Sequence, residues 1–167
     1  MVTVDGTDFS IEEPSPFSPT WYSHKFKGPG VRYEVALSIN GGDIVHINGP
    51  FACGSNPDIS IFRQGLIHKL APGEKVEADR GYRGEPQFVR IPADYQNDTQ
   101  KHQKCRARAR QETVNRRFKV FGALGQRFRH RVSHLDMSLH KTVFEAVVVL
   151  TQTDIDCGNK LFSVAFH

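Results

Sequence analysis

Long apolar runs are missing from this 167-residue chain. No stretch approaches the roughly 18 consecutive apolar residues of a membrane span, so no membrane partner is expected. The opening residues, Met1 to Asp5, lack the basic-then-apolar pattern of a secretory signal. Cysteine is scarce. Cys53, Cys105 and Cys157 are odd in number and widely spaced, which argues against a disulfide framework and for a reducing compartment. They read as buried small residues, with Cys105 exposed among bases. No Cys-x-x-Cys is present to build a structural zinc site. Gly-x-Ser-x-Gly, P-loop and dinucleotide fingerprints are also absent, so serine-hydrolase, nucleoside-triphosphatase and dinucleotide chemistries lose their usual signatures.

Acid is nearly absent from one window. Between Lys101 and Arg131 stand Lys101, Lys104, Arg106, Arg108, Arg110, Arg116, Arg117, Lys119, Arg127, Arg129 and Arg131, eleven of the chain's 22 Lys and Arg. The window's one acid is Glu112. An uneven distribution of this kind, at a net charge of only +4, is the footprint of a polyanion-binding face. A solvated helix face is the plainer reading of any single charge run.

The length suits one domain, able to bury about two-thirds of the surface that its unfolded chain exposes. Val2 to Glu12 reads as a first strand, with Val2 and Val4 on one face and Thr3, Asp5 and Thr7 on the other. Gly6 inside it signals a close approach or a bulge. Pro14, Pro16 and Pro19 break regular structure, and Trp21 to Gly30 forms a loop mixing aromatics with Lys25 and Lys27. Val31, Tyr33, Val35, Leu37 and Ile39 alternate as a strand. Asn40-Gly41-Gly42 turns it, and Asp43 to Asn48 returns, ended by Gly49-Pro50.

A helix starts at Asn56-Pro57-Asp58, with Asn56 as cap, and buries Ile59, Phe62, Leu66 and Leu70 before Ala71-Pro72-Gly73 stops it. Lys75 to Gly84 then reads as a short fourth strand ending at Asp79, followed by a basic glycine turn. Gln87 to Ile91 is a further short strand, and Ala93 to Gln100 a mobile polar segment. A long basic helix begins near His102 or Lys104, with Val114, Phe118, Phe121, Leu124 and Phe128 inward and Glu112 outward. Gly122 and Gly125 end or bend it. Ser138 to Asp156 reads as a last helix, with Val143, Val147 and Leu150 inward and Gly158 as its stop, although its Val-Val-Val-Leu core also reads as a strand. The hairpin demands an antiparallel part, and the helical crossover to the fourth strand a parallel one. A mixed α/β sheet with helices on its faces follows.

Three acids, Asp5, Asp79 and Glu112, sit where such a fold can gather them. Carboxylates that share Mg²⁺ or Mn²⁺ suit two-ion phosphodiester chemistry, because these hard ions prefer oxygen ligands. Each acid has a plainer role available. Asp5 suits a strand end, Asp79 starts a turn with Arg80-Gly81, and Glu112 pairs with Arg108 or Arg116 at helical spacing. Asp8 competes with Asp5 but points to the opposite strand face. Glu77 is either a second acid near the metal or a surface residue, and Asp58 is a helix-start residue. His130 and His134 are four apart, but without a middle Glu or a third ligand they read as phosphate or solvent contacts.

Several blocks resemble the DDE superfamily endonucleases of Harbinger-type transposases. They are Val-Asp-Gly-Thr-Asp-Phe from Val4, Trp-Tyr-Ser-His-Lys-Phe-Lys-Gly-Pro-Gly from Trp21 and Gly-Asp-Ile-Val-His-Ile-Asn-Gly-Pro-Phe-Ala-Cys-Gly-Ser-Asn-Pro-Asp from Gly42. Ala-Asp-Arg-Gly-Tyr-Arg-Gly from Ala78 and Arg-Ala-Arg-Gln-Glu-Thr-Val-Asn-Arg-Arg-Phe-Lys from Arg108 complete the series, in the family's order. The resemblance implies an RNase H-like fold over residues 1–167 and a triad of Asp5, Asp79 and Glu112. It implies two Mg²⁺ or Mn²⁺ ions, DNA cleavage by activated water, and attack on target DNA by the freed 3′-hydroxyl.

Lys25, Lys27, Arg80, Arg83, Arg106, Arg108, Arg116 and Lys119 are the expected DNA contacts. A nuclear location, a Myb-like DNA-binding partner and homo-oligomerisation are further expectations. The family's N-terminal DNA-binding region is expected to be absent, the chain starting four residues before Asp5. That keeps open an inactive, domesticated or truncated relic that binds DNA or protein without cutting, and a non-functional fragment.

Overall fold

A computed structural model describes residues 1–95, 97–130 and 136–164. Its centre is a six-stranded mixed sheet: β1 (Val2–Ser10), β2 (Tyr22–Ser23), β3 (Gly28–Ser38), β4 (Ile44–Ala52), β5 (Val76–Glu77) and β6 (Val89–Arg90). The helices are α1 (Asp58–Gln64), α2 (Asp98–Val120), α3 (Gly122–Gly125) and α4 (Ser138–Asp156). β1 lies between antiparallel β3 and parallel β5, while β6 extends the parallel half beside β5. β2 and β4 both pair with the far edge of β3. This mixed α/β sheet flanked by helices is RNase H-like.

Alternation along β1 and β3 sorts the core into two layers. Phe9, Ile11, Val31, Tyr33, Val35 and Leu37 face one way and meet Val114, Phe118, Phe144, Val147 and Ile155 from α2 and α4. Val4, Ala36 and Val76 face the other way and meet Phe62, Leu66 and Tyr82. Each fully buried side chain of this size contributes about 1.5–3 kcal/mol. The first layer is tightened by Tyr33, whose ring stacks on Phe144 at 3.8 Å and whose hydroxyl lies 2.8 Å from His140 Nδ1. Burial lowers His140 to about 4, so the ring is neutral at pH 7.

Several sequence expectations are corrected. β4 does not end at Gly49-Pro50. It continues to Ala52, absorbing the interruption by shifts in its register with β3. Pro57, not Asn56, precedes α1, because the Asn56 amide donates to Ala52 O at 2.9 Å instead of capping the helix. α1 is short and passes through Gly65 into a 3₁₀ turn at Leu66–Lys69. α2 starts at Asp98, capped by Asn97 Oδ1 accepting from Thr99 N at 2.9 Å. The segment before it is therefore structured: Pro92–Asp94 forms a 3₁₀ turn and Tyr95 is buried.

In α4 the inward stripe is His140, Phe144, Val147, Val148, Thr151 and Ile155. Val147 and half-buried Val143 meet the core as expected, but Leu150 is exposed. Cys157 is exposed, as is Cys105, and Cys53 is buried. His134 and Arg131 lie outside the described residues, so the histidine pair is not placed. Among the described residues no helix is long and apolar enough to cross a membrane.

Candidate active site

β5 pairs with β1 only through Val2↔Val76 and Thr3↔Glu77. Two residues beyond the last pair stand Asp5 on β1 and Asp79 after β5, so parallel register alone brings these acids side by side. Because β5 has stopped, that edge of β1 is open from Asp5 onward, and a cleft forms there. α2 crosses it. Thr3 Oγ1 donates to Gln111 Oε1 at 2.9 Å, and Gln111 Nε2 donates to Val35 O at 3.0 Å, which fixes the rotation of the helix over β1 and β3. One residue on, Glu112 projects outward; one turn on, Asn115 Nδ2 donates to Asp5 Oδ2 at 2.9 Å.

The cleft encloses about 410 Å³ and is lined by Asp5, Asp79 and Glu112 together. Lys25, Arg108, Arg116 and Lys119 line it with them. The three acids named from sequence thus come from three separate elements to one opening. They are held differently. Burial pushes Asp5 up to about 6, against the pull of Lys25 and with the charges of Asp79 and Asp58 adding to the rise. Asp79 Oδ1 accepts from Gly81 N at 2.7 Å, so it does begin the turn as well as line the cleft. Glu112 is 64% exposed and 3.4 Å from Arg108 Nε. Among the described residues no three His, Cys, Asp or Glu side chains stand close enough to form a ready metal cluster.

Asp58 is the helix-start residue expected, and it is also a fourth acid at this corner. It opens α1 with Arg32 Nη1 3.1 Å from its Oδ1. A Cβ on Gly6 would collide with that same oxygen, and a Cβ on Gly81 would stand 2.9 Å from Asp58 Oδ2 and 3.0 Å from Asp79 Oδ1. Gly6 is thus the close approach expected of it, and the two glycines make room for Asp58 between β1 and the Asp79 turn. Burial raises Asp58, opposed by Arg32 and Lys25 and reinforced by Asp79 and Asp8. The signal was in the sequence, as two glycines each within two residues of a candidate acid. Only the fold shows what fills the space they leave.

Asp8 faces away from the cleft. Arg32 grips it with two bonds, Nε to Oδ1 at 2.7 Å and Nη2 to Oδ2 at 3.0 Å, and Ser23 Oγ donates at 2.7 Å. Burial alone would raise its pKa; the bonds from Arg32, the charge of Lys25 and the Ser23 bond outweigh that and hold it below the usual carboxylate range. Glu77 is not a surface residue. It is buried under α2, 3.1 Å from Lys104 Nζ, and accepts from the Tyr95 hydroxyl. Tying β5 to α2 consumes its charge.

Much of the basic run is likewise structural. Lys104 Nζ donates to Arg90 O at 2.7 Å. Fully buried Arg110 donates from Nη2 to Ser38 O and Ile39 O at 2.8 and 2.6 Å. Arg117 pairs with Asp154 at 3.1 Å. Arg106 donates to Ser163 O at 2.9 Å and lies over the Phe162 ring. Arg80 and Arg83 are exposed on the turn after Asp79, and Lys27 is exposed in the loop before β3. Lys25 reaches the cleft by donating to Gly6 O at 2.7 Å.

An opening flanked by strand-tip carboxylates and rimmed by cations is suited to a polyanion handled at acidic groups. The family model described as DDE superfamily endonuclease matches residues 4–152, which spans all three acids and α2. Among curated proteins and solved structures nothing matches the chain. With most of its length matched, this chain belongs to the DDE superfamily endonuclease family.

Proposed function

We propose that this domain cuts DNA phosphodiester bonds at the cleft between β1, the Asp79 turn and α2, and joins the freed 3′-hydroxyl to target DNA, as Harbinger-type transposases do. The carrying observation is that Asp5, Asp79 and Glu112, from three elements, line one cation-rimmed cleft in a member of a nuclease family. The donors suit Mg²⁺ or Mn²⁺: all are hard carboxylate oxygens. The raised pKa of Asp5, with Asp79 and Asp58 contributing, marks a place where unneutralised negative charge is costly.

Asp5, Asp79 and Glu112 would hold the ions, which supply activated water and offset charge on the phosphate. Asn115 orients Asp5 through the bond to Oδ2. Lys25, Arg108, Arg116 and Lys119 draw the backbone in. Glu112 must leave Arg108 to join the other two acids, and DNA phosphate is a natural competitor for that arginine. Nicking of supercoiled plasmid with Mg²⁺ or Mn²⁺ tests this. Asp79→Asn or Glu112→Gln should abolish it while leaving the fold intact, and a well-folded wild type that never nicks sinks the proposal.

The ion pair between Glu112 and Arg108 favours one other reading: a DNA-binding relic that no longer cuts. It predicts salt-sensitive DNA binding with no metal-dependent turnover. A nuclear location and a Myb-like DNA-binding partner accompany either reading. Co-purification with such a partner, against a charge-matched control protein, checks the second.

A further inference from the structure

Beside the acidic corner lies a second opening of about 320 Å³, between α2 and the tips of β1 and β5. It shares Asp5, Asp79 and Arg108 with the cleft described above, so the two are continuous. Its own walls differ in kind. Ala78, Pro92, Tyr95, Cys105 and Ala107 line it, and the buried ion pair of Glu77 with Lys104 closes one side. The space exists because small residues, Ala78 and Ala107, stand where strand tip and helix face each other. Protein interiors are otherwise packed to crystal-like density. A slot of this size falls at the lower end of the range of small-molecule sites, about 300–1,000 Å³.

We propose that this slot seats an unstacked nucleobase of the DNA strand whose phosphate lies at the acidic corner. The inference rests on reading the chain as a DNA-binding nuclease domain. A ligand spanning both openings must carry an anionic group at Arg108 and, next to it, an apolar body that fits a narrow slot. A nucleotide has that combination. The Tyr95 ring, largely buried with Lys104 Nζ 5.0 Å from its centroid, gives the slot one aromatic wall. Unstacking a base costs a few kcal/mol, and stacking on a protein ring returns about 1–3 kcal/mol. The slot thus favours single strands, frayed ends and mismatches over intact duplex.

The test compares a labelled oligothymidylate with an abasic deoxyribose-phosphate oligomer of equal length, by fluorescence anisotropy in metal-free buffer. The wild type should bind oligothymidylate about 5- to 100-fold more tightly. Cys105 is exposed at the slot, so Cys105→Trp fills it with little risk to folding. That variant should lose the preference while its affinity for the abasic oligomer stays unchanged. A wild type without preference, or a Cys105→Trp protein that keeps it in full, overturns the proposal. Failure of the wild type to bind either oligomer overturns the DNA-binding reading and this inference with it. A second readout avoids filling the slot. In Cys157→Ser protein, where Cys53 is buried, oligothymidylate should slow alkylation of Cys105 and the abasic oligomer should not. Equal alkylation rates with both oligomers, each bound to saturation, count against the slot.

Discussion

Asp5 shows how one carboxylate can work against the fold that holds it. In the unfolded chain it titrates at 3.8; in the folded protein burial, with the neighbouring Asp79 and Asp58, lifts it to about 6. Between those values the folded state binds more protons than the unfolded one, so metal-free stability falls as pH rises from 4 toward 7. The penalty at pH 7 is up to about 3 kcal/mol. Asp5→Asn should therefore raise the metal-free melting temperature at pH 7 and leave it nearly unchanged at pH 4, as calorimetry at both values will show. Asn115 gives a second prediction at this scale. Asn115→Ala removes the bond that orients Asp5, and plasmid nicking should fall about 10- to 100-fold with little change in melting temperature. Of the residue-level features, Asp5, Asp79 and Glu112 were legible in sequence because each stands at a break in local pattern. Glu77 was not. Its burial depends on Lys104 and Tyr95, which are 27 and 18 residues away.

At the scale of elements, the pairing of β1 with β3 sets the site's foundation. Asp8↔Arg32 is a cross-strand pair on the face away from α2, and Arg32 extends from it to Asp58 on α1. One guanidinium thus links two strands and a helix. Arg32→Met would leave Asp8 buried without its main partner, at about 3–5 kcal/mol. Asp8 contributes through a depressed pKa, so its stabilisation is present above 3.8 and is lost as pH falls through the folded value. Urea titrations of wild type and Arg32→Met should accordingly differ widely at pH 7 and converge in strong acid. The hairpin, α1 and α4 were legible because alternation and helical period are strong local signals. The start of α2 was not. Its first turn, Asp98 to Lys101, is polar throughout, and only the Asn97 cap and Tyr95's burial against Glu77 fix where the helix begins.

For the whole molecule, part of the basic window is spent internally and part, joined by Lys25 from outside it, lines the cleft, a division that composition cannot show. Lys104, Arg110 and Arg117 are spent on internal partners. Lys25, Arg108, Arg116 and Lys119 line the acidic cleft. If those four carry the phosphate contacts, log affinity for duplex DNA should fall with log salt at a slope of about −3 to −4. Lys119→Ala should reduce that slope by about one, measured by anisotropy over a salt series. A much steeper slope would mean that Arg80, Arg83 or Lys27 also carry the backbone.

The family, the order of the main elements and the three acids that line the cleft could be named from sequence, because each depends on short patterns of neighbouring residues. Tertiary structure decided the rest. Parallel register between β1 and β5 set Asp5 beside Asp79, and Gln111 fixed the helix rotation that puts Glu112 on the rim of their cleft. Two glycines admitted Asp58, which a reading of its own helix could not reveal. Carboxylate chemistry depends on burial and on neighbouring charge, and both are set by contacts between segments far apart in the chain.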